Sequence, residues 1–284
     1  MSLEDDKRLK LLGLGGAVPY GSSERPNNRA PWARNVVVVT SGKGGVGKST
    51  VAVNLASVFA QRDWRVGLLD ADVYGPSIPR MLSLEDARLR WNERDRIECA
   101  ENFGIKVMSV GMTTPTRDTP LIWRASVSTS AVIQLLEDVD WGELDVLIVD
   151  MPPGTGDTQL TMAQELQVTA GVVVTTPQAV ATDDVRRAIR MLQQVRIPIA
   201  GIVENMSGGV FGSGGGRTLA EEYSLPFLGE IPLDVAIRES SDVGKPIAAV
   251  GIEDQKRPYQ RIVDALTASL APIAGEGKPS HSGH

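Results

Sequence analysis

Apolar residues along this chain fall into short, nearly unbroken runs separated by stretches with helical spacing. The runs are "NVVVVT" (35–40), "RVGLLD" (65–70), "GIKVMSV" (104–110), "LDVLIVD" (144–150), "AGVVVTT" (170–176), "IPIAGIVEN" (197–205) and "PFLGEIP" (226–232). A strand buried on both faces has no polar side to show, so these runs read as parallel strands inside a sheet covered by helices. In "TDDVRRAIRMLQQV", Val185, Ala188, Ile189, Leu192 and Val195 share one helix face. Thr182 is its expected N-cap, with Asp183 and Asp184 in the first turn. Strand–helix alternation along the chain predicts an α/β fold, a doubly wound, mostly parallel sheet flanked by helices. Residues 1–33, with "GSSERPNNRAP", read as a flexible segment, 34–272 as one domain and 273–284 as a disordered tail. Residues 83–103, "SLEDARLRWNERDRIECAENF", read as a charged, irregular surface insertion. Near the C-terminus, "YQRIVDALTASLAPIAG" has an apolar face at Ile262, Leu266 and Leu270 but little positive charge, so it is expected to pack rather than lie on a membrane.

Composition narrows the function classes. The chain has 284 residues, 42% hydrophobic and 23% charged, as a soluble α/β domain does. No apolar run reaches the roughly 20 residues that span a bilayer. "MSLEDDKRLKLLGLGG" places three acids before any apolar run, the wrong flank for a secretory signal. A net charge of −6 argues against a nucleic-acid partner. The single cysteine, Cys99, excludes internal disulfides and suits a reducing cytoplasm. Both histidines, His281 and His284, lie in the tail, which removes histidine catalysis from the core.

The chemistry concentrates in "VVVVTSGKGGVGKST", residues 36–50. Gly42, Gly47, Lys48 and Ser49 match the phosphate-binding pattern G-x-x-x-x-G-K-[ST], between a strand and a helix as that pattern requires. Backbone N–H groups of such a loop point at phosphate oxygens, and the helix N-terminus adds positive field. Lys48 is expected to reach the β- and γ-phosphates, and the Ser49 hydroxyl to ligate Mg²⁺. Asp150, ending a buried strand, is the expected metal carboxylate, and a backbone N–H near Gly154 in the bend "PPGTGD" is expected to sense the γ-phosphate. Asp70 and Asp72 end another strand. Two residues apart in extended chain, both carboxylates are expected to face the nucleotide, with Asp72 orienting the attacking water and holding metal; the other reading of Asp70 is a brace for the loop. A second lysine, Lys43, sits too early to curl onto its own γ-phosphate but within reach of a facing subunit's phosphates.

"KGGVGKST" resembles the deviant Walker A loop of MinD-type (SIMIBI) ATPases. "GLLDADVYGPSIPRML", "DWGELDVLIVDMPPGTGDTQLT", "TTPQAVATDDVRRAIRML", "IAGIVENMS" and "PFLGEIPLDVAIRESSDVGKPI" narrow the resemblance to the Mrp/ApbC family of iron–sulfur cluster carrier ATPases, over roughly residues 33–252. The resemblance implies hydrolysis of Mg–ATP by a homodimer in which Lys43 acts across the interface. It also implies phosphate contacts from Gly42, Lys43, Gly44, Gly45, Val46, Gly47, Lys48, Ser49 and Thr50, adenine contacts from Asn205 and from Pro232 to Asp234, and two switches at Asp72 and Asp150. Iron–sulfur apoproteins or assembly proteins are the implied partners.

The sequence departs from that family in three places. Where a C-x-x-C pair is usual after "ENMS", it has Gly208 and Gly209. Two copies of Cys99 supply two of the four thiolates that a bridging [4Fe–4S] cluster needs. "IWRASVS" carries Ala125 in place of a glycine, and only about 34 residues precede the first strand, so an N-terminal accessory domain is expected to be missing. Two functions follow: an ATPase of iron–sulfur cluster assembly or transfer, or a nucleotide-switched regulatory or positioning ATPase that carries no cluster.

Overall fold

The apolar runs assemble side by side into one eight-stranded sheet in the order β10-β9-β8-β1-β7-β2-β5-β4. The computed structural model describes residues 28–73, 75–113 and 125–272; the expected tail with its two histidines, and residues 1–27, lie outside the described residues. The strands are β1 (Val36–Ser41), β2 (Val66–Asp70), β4 (Ala100–Asn102), β5 (Ile105–Ser109), β7 (Val146–Asp150), β8 (Ala170–Thr175), β9 (Ile199–Ser207) and β10 (Phe227–Pro232). All neighbours pair in parallel except β4, which runs antiparallel to β5 at one edge. Every residue of β1, β2, β7 and β8 is buried, which is why their runs do not alternate.

Helices cover both faces. α1 (Lys48–Ala60) follows β1 and is buried on nearly every side, with Val51, Leu55, Ala56 and Phe59 at 0% exposure. Each such aliphatic or aromatic side chain contributes about 1.5–3 kcal/mol by leaving water. The short α2 (Ile78–Met81) follows β2; Ala125 lies in α3 (Ala125–Glu137), a helix. α4 (Asp157–Glu165) follows β7, α5 (Ala179–Gln194) follows β8 and α6 (Gly215–Glu222) follows β9. After β10 come α7 (Val235–Asp242), α8 (Ile247–Val250) and α9 (Glu253–Thr267). The expected face of α9 is in the core, with Tyr259, Ile262, Val263 and Leu266 all at 0% exposure. Among the described residues, no helix is long and apolar enough to cross a membrane.

Three local expectations are corrected. α5 starts at Ala179 with Gln178 as N-cap, so Thr182 lies inside the helix. Its apolar face still holds Val185, Ala188, Ile189 and Leu192 in the core; tertiary packing extends a helix past a local cap signal when the earlier turn also finds neighbours. Residues 83–103 are not wholly irregular. Leu89 and Ile97 are buried, β3 (Ile97–Glu98) pairs with β6 (Val139–Asp140), and β4 closes the sheet edge. Residues 28–33, assigned to the flexible segment, pack on the body. Ala30 is buried, Trp32 stacks on Trp141 at 5.4 Å, Ala33 bridges to Leu144, and Arg29 pairs with both Glu137 and Glu165.

The connection from β7 to β8 passes over β1, so β7 and β8 flank β1 on opposite sides. α4 after β7 and α5 after β8 pack together on one face, whereas α1 after β1 lies with α9 on the other, so a crevice opens at the C-terminal end of β1. In open α/β sheets that is where ligands bind.

Candidate nucleotide-binding site

The glycine-rich loop lies in this crevice. Gly47 is the N-cap of α1 at φ 79°, a left-handed conformation, and no side chain caps the helix. The first-turn N–H groups therefore face the loop without a capping partner, as an anion site needs. A methyl group at Gly47 would lie 2.2 Å from the Asn205 amide nitrogen, so both backbone conformation and space demand glycine. Gly42 is required for space alone: a side chain there would meet the Asp184 backbone of α5 at 2.1 Å. Asn205, at the end of β9, donates from Nδ2 to the Val46 carbonyl at 2.8 Å and ties strand and loop together. Gly44 and Gly45 are exposed, Val46 is buried, and Ser49 and Thr50 are half-buried at the start of α1.

Lys48 is 6% exposed, and its ammonium contacts Asp150 Oδ1 at 2.5 Å and Ser49 Oγ at 3.5 Å. Asp150 is fully buried, and its second oxygen, Oδ2, has no hydrogen-bond partner among the described residues. Burial pushes the Asp150 carboxyl above its ordinary range; the Lys48 ammonium pulls it back, and neighbouring Asp72 pushes it up again. An orphaned buried carboxylate oxygen beside a serine hydroxyl is a place where a hard divalent cation fits. Ser49, Asp150 and Asp72 are the residues that would hold Mg²⁺.

Asp70 and Asp150 end adjacent strands and are register partners. The expectation that Asp70 and Asp72 face the nucleotide together does not hold. β2 ends at Asp70, so the two-residue rule stops there. Asp70 is at 0% exposure and turns into its own loop, accepting from Ser109 Oγ at 3.0 Å and from the N–H groups of Ile78 and Asp72, each at 3.2 Å. Burial, then the charge of Asp150, pushes its carboxyl up to about 7. Asp70 thus braces Asp72 and Ile78 through their N–H groups, and Asp72 is half-buried.

Other predicted site residues are placed with mixed engagement. The Gly154 N–H donates to the Ser41 carbonyl at 3.1 Å, so here it is committed to β1. Pro232 ends β10 beside Ser207 of β9, and Asp234 caps α7 by accepting from the Ala236 N–H at 2.8 Å. Lys43 is half-buried, and among the described residues its ammonium makes no ion pair; only its carbonyl is engaged, by Ser41 Oγ at 2.9 Å. One residue was missed. Glu204, at 0% exposure, accepts from Gly214 and Gly216 N–H at 2.9 and 2.6 Å and holds the glycine-rich turn after β9. An acid inside the apolar run "GIVEN" was the signal.

That turn is where the family pattern has cysteines. Gly208 N–H closes it onto the Gly212 carbonyl at 2.6 Å, and its tip exposes Val210 (88%) and Phe211, with Leu233 and Val235 exposed in the neighbouring segment. Cys99 lies between β3 and β4, at the opposite edge of the sheet from β9 and β10. Burial pushes its thiol up to about 12.

Comparison with known proteins places this geometry. An iron–sulfur cluster carrier protein of Deinococcus radiodurans is 44% identical, covering 96% of this chain and 80% of its own length. One from Pyrococcus abyssi is 43% identical, covering 95% and 97% respectively. This chain spans 63% of the Aquifex aeolicus carrier protein, at 45% identity. Among solved structures, a nucleotide-binding protein from Archaeoglobus fulgidus in complex with ADP superposes with a TM-score of 0.67 at 37% identity, over 76% of this chain and 89% of that one. The cell division ATPase MinD of Pyrococcus furiosus shares the fold, with a TM-score of 0.65 at 20% identity over 83% and 99%. The ParA-type family described as NUBPL iron-transfer P-loop NTPases matches residues 33–269. With its loop, its buried lysine–aspartate pair and its strand order, this chain belongs to the NUBPL iron-transfer P-loop NTPase family.

Proposed function

We propose that the protein binds Mg–ATP, hydrolyses it between two copies of the chain, and uses that cycle to hand an iron–sulfur cluster between partners. The observation that carries the nucleotide part is the buried Lys48–Asp150 pair beneath the glycine loop, with one Asp150 oxygen unpartnered. A desolvated cation and carboxylate are costly unless each has further work. Lys48 moves from Asp150 to the β- and γ-phosphates when a triphosphate enters. Ser49, Asp150 and Asp72 would hold Mg²⁺, which when bound neutralises charge on the phosphate oxygens. Asp72 orients a water. The water oxygen bonds to the γ-phosphorus as the bond to the β–γ bridging oxygen breaks; ADP leaves with that electron pair and the water proton passes to phosphate or solvent. Asn205, Pro232 and Asp234 border the adenine, and Gly154 exchanges Ser41 for the γ-phosphate. Lys43, which makes no ion pair among the described residues, reaches the partner copy's triphosphate. The apolar tip at Val210 and Phe211 beside these segments supports a face covered in the assembly. Such an ATPase works in the cytoplasm, where its one thiol stays reduced.

A second reading, a nucleotide-switched regulatory protein without cluster cargo, is favoured by the single cysteine and by Gly208 and Gly209 where the family has thiolates. Anaerobic incubation with iron and sulfide, alone and with a thiolate-bearing apoprotein, tests the two readings. Cluster absorbance that appears only with the apoprotein and transfers faster with ATP supports carriage with borrowed ligands. ATP turnover with no cluster in either sample supports the switch.

A further inference from the structure

β10 is the last strand of the sheet, and among the described residues its outer edge meets no further strand. α6 packs with α5 on one face of the sheet, and α9 packs with α1 on the other. Both reach the rim of β10 and leave a cleft of about 770 Å³, floored by Phe227 to Glu230 and walled by Arg217 of α6 and by Arg257 and Arg261 of α9. The Arg217 guanidinium lies over the Phe227 ring, 4.5 Å from its centre.

Charge in this cleft runs against the rest of the molecule. The chain carries −6 overall, yet three arginines gather here. The two acids that line the same cleft are already engaged: Asp254 pairs with Arg257 at 3.1 Å, and Glu230 accepts from Ser207 Oγ at 3.2 Å. Arg217 and Arg261 have no ion-pair partner among the described residues. A planar guanidinium is adapted to grip a carboxylate with two parallel hydrogen bonds.

The shape favours an extended occupant over a compact one. The lining follows β10 from Phe227 to Pro232, a strand of six residues about 20 Å long, so an extended segment can lie along it. Arg257 and Arg261 are one helical turn apart and so repeat the positive charge along it. Register shifts between Phe227 and Gly229 and between Glu230 and Pro232 interrupt the ladder. That irregularity limits main-chain pairing with an added strand and leaves the side chains to supply most of the recognition.

We propose that this trough binds an extended acidic segment of a partner protein. Its carboxylates pair with Arg217, Arg257 and Arg261, and an apolar side chain rests against Phe227 and Leu228. The cleft lies outside the glycine loop, touching the proposed nucleotide segments at Pro232, and its recognition does not depend on hydrolysis.

The test is fluorescence anisotropy of a labelled hexapeptide alternating glutamate and valine, titrated with the full chain beside its glutamine–valine counterpart. The glutamate peptide is expected to bind at least about tenfold more tightly. Its advantage should vanish in about 0.5 M salt and in the Arg217→Gln/Arg261→Gln double variant, and should persist in Arg261→Lys. Circular dichroism and ATP turnover of the double variant should match the wild type, which keeps this test distinct from that of the nucleotide reading. Equal affinity for the two peptides, or a preference that survives the double variant, overturns the proposal. So does binding to phosphatidylglycerol vesicles through the same arginines without peptide binding, which would assign the trough to a membrane surface.

Discussion

At Lys48 a single side chain serves two states. Without nucleotide it neutralises Asp150, which is fully buried, so removing it strands a carboxylate in the core. Lys48→Ala is therefore expected to cost about 3 kcal/mol of stability near neutral pH, read from denaturant midpoints, and to weaken ATP binding at least about a hundredfold, read by calorimetry. Adding Asp150→Asn should restore stability but not affinity. Recovery of both would show that Lys48 acts only on Asp150. Among the described residues Lys43 makes no such pair. Lys43→Ala should leave ATP affinity within about threefold of wild type and lower turnover about a thousandfold, the scale of a cation inserted across an interface. Phosphate release at saturating ATP checks this, and a fully active variant would remove the lysine from the mechanism. Lys48, Ser49 and the glycines were legible because a local motif dictates a local backbone. The inward turn of Asp70 was not, because it depends on Ser109 of a neighbouring strand and on a loop that returns Ile78 to it.

Elements are joined by a few specific ties. Asp145, just before β7, accepts from Arg65 through its backbone N–H at 2.9 Å and its guanidinium at 3.0 and 2.9 Å, which locks the entry of β2 beside that of β7. The Arg65 side-chain hydrogen bond holds the Asp145 carboxyl below its ordinary value. A depressed carboxyl contributes stability that is present above the unfolded value and lost as pH falls through the folded one. Thermal melts should thus show wild type losing its advantage over Asp145→Asn as the pH drops below about 4. Parallel stability curves for the two proteins would remove the tie from the account. The seven parallel strands of the sheet were readable from their apolar runs to within two residues at each end, whereas the short β3, β4 and β6 were not. The start of α5 was not, since a threonine followed by two aspartates is a sound local cap that the fold overrides.

For the whole molecule, sheet order assembles the site. Threading β7 between β1 and β2 puts Asp150 beside the glycine loop, 102 residues from Lys48 in sequence, and beside Asp70 of β2. The same order sets Cys99 at the edge opposite β9, so no rearrangement of side chains alone brings it to the turn at Gly208. Exposed Val210, Phe211, Leu233 and Val235 border the proposed adenine segments. Asp72→Asn, expected to bind ATP without splitting it, should accumulate as a dimer with Mg–ATP and return to monomer with ADP, as scattering would register. A variant that stays monomeric while ATP-loaded would refute catalysis across an interface.

Local order was written in the chain. Runs of valine and isoleucine made strands, glycines at 42 and 47 made a phosphate loop, and Gly208 and Gly209 after "ENMS" stood out against the cysteine pair of the family that the chain resembles. Those features depend on residues within a turn or a strand of one another, where sterics and hydrogen bonding act directly. Folding added what depends on distance: the Lys48–Asp150 pair, the bracing role of Asp70, the Glu204 anchor and the arginine-lined trough at β10. Burial and electrostatic coupling act between groups the sheet brings together, and their sequence separation carries no trace of that proximity.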